Sequence, residues 1–284
     1  MKKVTLGLVL PHYPHMFSTF YTMELIQGAS KGALSLGVDL LIHIAHQAEG
    51  EKTDMDLKIF STSFASGLLF ADIMGNEQLV EKAKEKKIPY IILNYFDKKS
   101  EDNCIGVDNE AAAREIIDYL VRIGHKHIAT ITGKLHAQAG IDRLAGYQKG
   151  LQENGIPVID EYILKGDWTK DAGKKGLERI LKLKPVPTAV FVAGDEMAIG
   201  LIEEAKHRGI GVPSELSVVG FDDIPLASSS LISLTTVKQP LYEVGRLGVR
   251  YLKNLIDKKE KEPVKVLLNN TQIISRNSVR KLAH

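Results

Sequence analysis

Two adjacent acids, Asp222 and Asp223, stand in "SVVGFDDIPLA", directly after a short apolar run. A carboxylate at the carboxyl end of a parallel strand lies on the edge where open α/β sheets bind ligands. Neighbouring residues of an extended chain point to opposite sides, so at most one of the pair faces a given cleft. One such carboxylate suits hydrogen bonding to hydroxyls, whereas two-carboxylate hydrolysis needs both groups on the same bond. The competing reading is that both acids cap the following turn. Arg143, in "AGIDRLAGYQKGL", is placed on the first turn of a helix after the Ile128–Thr132 run. Its guanidinium can fork two hydrogen bonds to a hydroxyl pair, a carboxylate or a phosphate, or form an ion pair with Asp142 or Asp222. Trp168 is the only tryptophan, in "KGDWTKDAG"; an exposed indole stacks on sugars or bases, and a lone one is more often simply packed. In "AGDEMAIG", Asp195 reads as the cap of a helix starting near Glu196, and Gly194 as a permissive backbone position at the cleft edge.

Other chemistry finds less support. The stretch "HYPHMFSTFY" groups His12 and His15 with Phe17, Phe20 and Tyr21, aromatics able to wall a pocket. No acidic or cysteine partner lies at ligand spacing from the two histidines, so no metal is expected. His125 and His127 flank Lys126 just before a strand and read as surface residues. "TGKLHAQAG" lacks the phosphate-loop framework, no GxGxxG follows a strand, and no GxSxG or Cys/His pair supplies a nucleophile. Catalysis has no foothold here, and no cofactor is expected.

These residues need elements to hold them. Val4–Leu10, Asp39–His43, Gly67–Phe70 and Tyr90–Leu93 read as buried strands, and His127–Ile131, Tyr162–Leu164, Ala189–Val192 and Leu216–Phe221 repeat the scheme. Amphipathic helical patterns lie between them, "NEAAAREIIDYLVRIG" with a cap at Asp108 or Asn109, and a long one over Leu241–Ile256. Continuous apolar strands covered by helices mean parallel sheets with right-handed crossovers. Two such series imply two α/β lobes, with a single barrel the weaker alternative. No low-complexity linker separates the series, which favours strand crossovers over two beads on a string. The 44% hydrophobic and 25% charged fractions are those of a globular chain. A net charge of +2, spread along the sequence, argues against nucleic-acid contact within these residues. One cysteine, Cys104, rules out an internal disulfide and fits a reducing compartment. With no secretory signal and no apolar run of membrane-spanning length, a cytoplasmic location is expected.

The run "VPSELSVVGFDDIPLASSSLISLTTVKQP" resembles the most characteristic stretch of the LacI/GalR family of bacterial transcription regulators. "LGLVLP", "ASGLLF", "IPYIILN", "IGVDNEAAAREIIDYLVRIGHKHIATITG", "DRLAGYQKGL", "GDWTKDAG", "PTAVFVAGDEMAIGLIEEAKHRG" and "IISRNS" follow the family order. The likeness spans essentially the whole chain and is weakest between Pro11 and Ala65. It implies a periplasmic-binding-protein-like fold of two Rossmann-like lobes with three crossovers, near Gly106, Gln239 and Leu268. The N-terminal lobe would hold 1–105 and 240–268, and the C-terminal lobe 106–239 and 269–284.

The resemblance also implies a small effector, a carbohydrate by expectation, held in a cleft between the lobes. Arg143 matches the family's effector-clamping arginine and Asp222 its hydroxyl-binding aspartate. Trp168 matches the aromatic lining the cleft, and Asn94 a polar position ending "IPYIIL"; Gln239 lies at a crossover. Phe17, Asp72 and Gly194 complete the candidate ligand-binding set. Where the family commonly has Asn-Asp, this chain has Gly194-Asp195, which removes one side-chain contact, and the loop after Pro11 is longer than usual. A homodimer is expected, with Leu241–Ile256 and the N-lobe surface as candidate faces by analogy. Operator DNA would be read through a helix-turn-helix headpiece that does not precede the first strand here. The alternative is a headpiece-less or extracytoplasmic sugar-binding protein serving transport or signalling.

Overall fold

A computed structural model describes residues 4–12, 16–45, 59–60, 64–229, 233–260 and 262–282. His15 lies outside them. The chain divides into two compact units, Met1–Val107 with Pro240–Leu268, and Asp108–Gln239 with Asn269–His284.

The first unit is built on a parallel sheet of β1 (Thr5–Pro11), β2 (Asp39–Ala45), β3 (Gly67–Ala71), β4 (Tyr90–Leu93), β5 (Cys104–Val107) and β11 (Lys265–Leu268). Their order is β11-β5-β4-β3-β1-β2, so the direction of winding reverses at β1. Strand alternation explains why the inner runs β1, β3, β4 and β5 are apolar throughout, whereas the edge strand β2, expected to be buried over Asp39–His43, is largely exposed because it has a neighbour on one side only. Leu6, Leu8, Leu10, Leu69, Ile91, Leu93 and Ile105 enter one core layer. Val9, Leu68, Phe70, Ile92 and Cys104 enter the other. Strands with both faces covered have no polar face to show.

Helix α1 (Phe20–Leu36) and helix α7 (Leu241–Ile256) cover the first layer; α2 (Glu77–Glu85) lends Val80 and Ala83 to the second. On α7 the buried positions are Leu241, Val244, Gly245, Gly248, Val249 and Leu252, the i, i+3, i+4, i+7 stripe. That stripe belongs to the core of its own unit, where Val244, Val249 and Leu252 pack against β1, β3 and β4 residues. The apolar stripe of Leu241–Ile256 is thus spent on the core of its own unit, and Tyr242 stands exposed on the same helix.

The second unit carries β6 (Ile128–Ile131), β7 (Ile163–Leu164), β8 (Ala189–Val192) and β9 (Ser217–Val219) in the order β7-β6-β8-β9, all parallel. Its helices are α3 (Asn109–Arg122), α4 (Gln138–Glu153), α5 (Lys170–Ile180) and α6 (Asp195–His207). An antiparallel pair, β10 (Thr236–Lys238) and β12 (Gln272–Ile274), joins the edge through bridges from Val219 to Thr235 and from Asp222 to Lys238.

The C-terminal segment ties this edge together. Ser278 donates from Oγ to the Val218 carbonyl at 2.6 Å and accepts the Thr235 N–H at 2.8 Å. Further along, His125 fixes Arg280. The expectation of a surface residue fails for His125, which is fully buried, and holds for His127, which is exposed. The Arg280 carbonyl lies 3.1 Å from Nε2, and Thr188 Oγ1 lies 2.9 Å from Nδ1. A carbonyl only accepts, so Nε2 carries the proton and Nδ1 takes the threonine hydroxyl in the neutral ring.

Burial pulls the His125 pKa below its ordinary value. The unfolded chain therefore binds this proton more readily, and the histidine's contribution is present above about pH 6.5 and lost as pH falls below it. His125→Ala should lower unfolding free energy by about 2 kcal/mol at pH 8. Urea titrations between pH 5 and 8 should also show part of the wild-type acid sensitivity removed in the variant.

Candidate functional site

Several residues of the second unit gather at the carboxyl ends of its strands or just beyond them. Gly133 follows β6, Trp168 follows β7, Ala193 and Gly194 follow β8, Asp222 follows β9, and Gln239 follows β10. This is the edge on which open α/β sheets receive ligands, because backbone and helix N-termini converge there. Arg143 reaches it from the second turn of α4, one turn later than the sequence spacing placed it.

Arg143 is only 4% exposed, so its charge must be matched within the protein. Nε donates to Asn109 Oδ1 at 2.9 Å and Nη1 donates to the Ala193 carbonyl at 2.5 Å. Asp222 Oδ1 stands 3.6 Å from Nη1 as the counter-charge. The guanidinium also lies 3.8 Å from the centroid of the Phe221 ring and 5.4 Å from that of Trp168. The Asp142 pairing is not formed, since that carboxylate accepts from Gln138 Nε2 at 2.7 Å.

The two acids diverge, for a reason different from strand alternation. Asp222 has φ 124° and Asp223 φ 57°, so the chain is sharply turned, and neither residue is extended. Asp223 pairs with Arg276 at 2.5 Å, while Asp222 accepts from Gln239 Nε2 at 2.5 Å. A carboxylate only accepts, so the Gln239 amide is oriented with Oε1 turned away from Asp222. That oxygen is buried and has no hydrogen-bond partner.

Asp195 does not cap its helix. Gly194 occupies the cap position, and Asp195 is fully buried. Its Oδ2 accepts the Ile224 N–H at 3.0 Å and its Oδ1 the Thr236 hydroxyl at 2.6 Å. It therefore ties the turn after Asp222 to β10, setting the spacing between Asp222 and Gln239. Burial pushes its carboxyl well above the usual carboxylate range, and the Asp222 charge pushes the same way. Asp222 is also raised by burial, with Arg143 and Gln239 pulling it back.

Three positioning residues escaped the sequence reading. By its spacing Asn109 is only a cap candidate, a role that Asp108 takes by accepting the Ala111 N–H at 3.0 Å. Phe221 reads as a strand-end core residue. Gly133 attracts no notice in "ITGK", yet a side chain there would occupy the space of the Trp168 six-membered ring. The same indole passes Gly194, where a Cβ would sit 3.3 Å from Trp168 Cε3 and 3.6 Å from Asp222 Oδ2. The loss of a side chain at 194 thus makes room for the ring.

The remaining candidates belong to the first unit and sit on its own carboxyl edge. Phe17 follows β1 in a short 3-10 turn and is exposed. Asp72 follows β3 and Asn94 follows β4, on neighbouring strands, with the Asp72 N–H donating to the Leu93 carbonyl at 2.9 Å. Both adopt left-handed backbone, φ 76° and 55°, a conformation that costs a non-glycine residue about 1–3 kcal/mol. Asn76 Nδ2 donates to the Asp72 carbonyl at 2.9 Å and holds that turn. Burial pushes the Asp72 carboxyl up to about 6. The Asn94 amide oxygen is buried and unpartnered. Among the described residues no three acidic, histidine or cysteine side chains gather as a metal site. No described helix is long and apolar enough to cross a membrane.

With this geometry in place, known proteins supply the affiliation. The periplasmic binding protein-like domain matches residues 117–279. The HTH-type transcriptional repressor CytR of Escherichia coli (strain K12) is 36% identical over 239 residues, covering 84% of this chain and 69% of that protein. Catabolite control protein A of Priestia megaterium is 30% identical over 261 residues, covering 90% and 76%. The chain belongs to the LacI/GalR family of transcriptional regulators. A solved complex of the transcriptional regulator CelR with cellobiose superposes with a TM-score of 0.87 at 25% identity, over 96% of this chain and 84% of that one. The parallel sheets flanked by helices are the fold of that family.

Two outcomes follow from the site. Gly133→Ala should displace the indole, shifting the emission of the sole tryptophan toward the red while the far-ultraviolet circular dichroism is unchanged. Asp72, with its raised pKa, contributes stability fully below about pH 4, and that contribution is lost as pH rises past about 6. Asp72→Asn should remove this slope, leaving the variant with the higher urea midpoint at pH 8 and the gap closing toward pH 4.

Proposed function

We propose that this chain is the effector-sensing core of a transcriptional regulator, and that Arg143, Asp222, Gln239 and Trp168 contact the effector. The observation that carries this is the buried guanidinium of Arg143, locked by Asn109 and the Ala193 carbonyl beside the partly open carboxylate of Asp222. A buried arginine with prearranged partners offers fixed hydrogen-bond geometry at little entropic cost. Trp168 adds an apolar face of the kind that stacks on a sugar ring. Asn94, Asp72, Phe17 and Gly194 are assigned to the same role through the family resemblance.

No part of the arrangement asks for bond breaking. Its only output is a binding free energy that differs between conformations of the protein. A ligand shifts a two-state equilibrium only by its differential affinity, and couplings of this kind are about 1–3 kcal/mol. On this reading the chain works as a cytoplasmic homodimer, and its operator contact is made by a helix-turn-helix segment outside these residues. A carbohydrate is the effector class to try first, and the CelR complex makes cellobiose a sensible opening probe.

Calorimetric titration against a panel of mono- and disaccharides and nucleosides should find a ligand whose binding disappears in Arg143→Ala and in Asp222→Ala. Binding that survives both substitutions would overturn the site assignment. Sedimentation velocity of the wild-type chain should return a dimer.

A further inference from the structure

The second unit holds a cavity that the Arg143 group does not use. It has a volume of about 290 Å³ and lies between helix α5 and the stretch Leu164–Asp167, which continues the edge strand β7. Gly166, Ala172 and Gly176 contribute almost no side-chain volume to its wall. The long side chains around it are cationic: Lys165 from the strand end, and Lys175 and Arg179 one turn apart on α5. All three are exposed.

Cations elsewhere on this unit find carboxylates. Lys149 pairs with Glu110 at 2.9 Å, Lys170 with Glu203 at 3.1 Å, and Arg208 with both Glu178 and Glu204 at 2.5 Å. Among the described residues, Lys165, Lys175 and Arg179 form no such pair within 4.0 Å. The two acids that line the cavity are engaged otherwise. Asp167 accepts the Thr169 hydroxyl at 2.6 Å and the Thr169 N–H at 3.0 Å. Those bonds hold its carboxyl below the usual carboxylate range, with Lys134 and Lys175 adding to the effect. Asp171, four residues before Lys175 and so spaced for a helix pair, lies instead 4.0 Å from Lys174. Arg179 stands in the last turn of α5, where a cation suits the helix dipole. Lys165 and Lys175 have no such reason to face one small cavity together, and like charges so placed disfavour each other until an anion sits between them.

We propose that this cavity is a second ligand site, separate from the Arg143 and Asp222 group, and that Lys165, Lys175 and Arg179 hold a small, multiply charged phosphorylated metabolite there. Phosphoryl oxygens accept from a forked guanidinium and from ammonium groups alike. Lys175 and Arg179 stand about 6 Å apart along the helix axis, with Lys165 on the other wall, so donors reach the ligand from two sides. The volume lies near the lower end of the range for small-molecule pockets. None of the three cations is a partner of Arg143, so the inference does not depend on the effector reading.

The test titrates pyrophosphate into the full chain in low-salt buffer, read by calorimetry. It should bind with a Kd of about 1 mM or tighter, and more weakly as salt is raised. The double variant Lys175→Gln/Arg179→Gln changes only exposed side chains and should keep the wild-type far-ultraviolet circular dichroism, yet bind at least about tenfold more weakly. Lys126→Gln/Lys182→Gln removes the same charge from exposed positions outside the cavity and should leave the affinity unchanged. Malonate, a dicarboxylate of similar size, should bind at least about tenfold more weakly than pyrophosphate. No binding up to about 10 mM, binding retained in the Lys175/Arg179 variant, or an equal loss in the Lys126/Lys182 variant would each overturn the site. Malonate binding as tightly as pyrophosphate would overturn the phosphoryl assignment.

Discussion

Burying a guanidinium sets the terms for the whole second unit. A charge withdrawn from water is tolerated only where polar partners surround it, and breaking such a set typically costs about 3–5 kcal/mol. The partners of Arg143 come from four separate places: the start of α3, the end of β8, the turn after β9 and the loop after β7. Meeting that demand brings four chain segments to one point. The site is therefore a by-product of solvating Arg143 from within the protein, and its rigidity comes from the same source.

Asp195 plays the complementary part below the surface. By accepting from Ile224 and Thr236 it holds the sharp turn that carries Asp222 against the strand that leads to Gln239. Two carboxylates close in sequence to the same edge thus have unlike duties: one is spent on architecture, the other stays partly open. The distinction follows from burial, since Asp195 is fully covered and Asp222 is not.

Much of this was legible in the sequence, and the illegible part has a common physical cause. Strands such as Ala189–Val192 and the helix Leu241–Ile256 announce themselves because their own residues decide burial. Arg143, Trp168 and Asp222 were conspicuous by type and by their place after apolar runs. Asn109 and Gly133 were not, because each matters only through a side chain far away in the chain: a carbonyl oxygen for Arg143, an empty space for Trp168. His125 was misread for the same reason, its burial being supplied by Thr188 and the Arg280 carbonyl. The very short strands β10 and β12 left no periodicity to detect and exist because they pair with each other.

The threading of the chain has a consequence for its synthesis. The second unit needs β12 and the Ser278–Arg280 segment to complete the edge that carries Asp222 and Gln239. On a translating ribosome, residues 108–239 emerge while that segment is still unmade. In the meantime Val218 and Thr235 expose backbone groups that Ser278 later satisfies, and β10 is an open strand able to pair with another chain. The first unit waits in the same way for α7 and β11. Neither half of the protein is thus complete until α7, β11, β12 and the Ser278–Arg280 segment have all been made, and the nascent chain is most exposed to misassociation just before the edge that carries Asp222 and Gln239 closes.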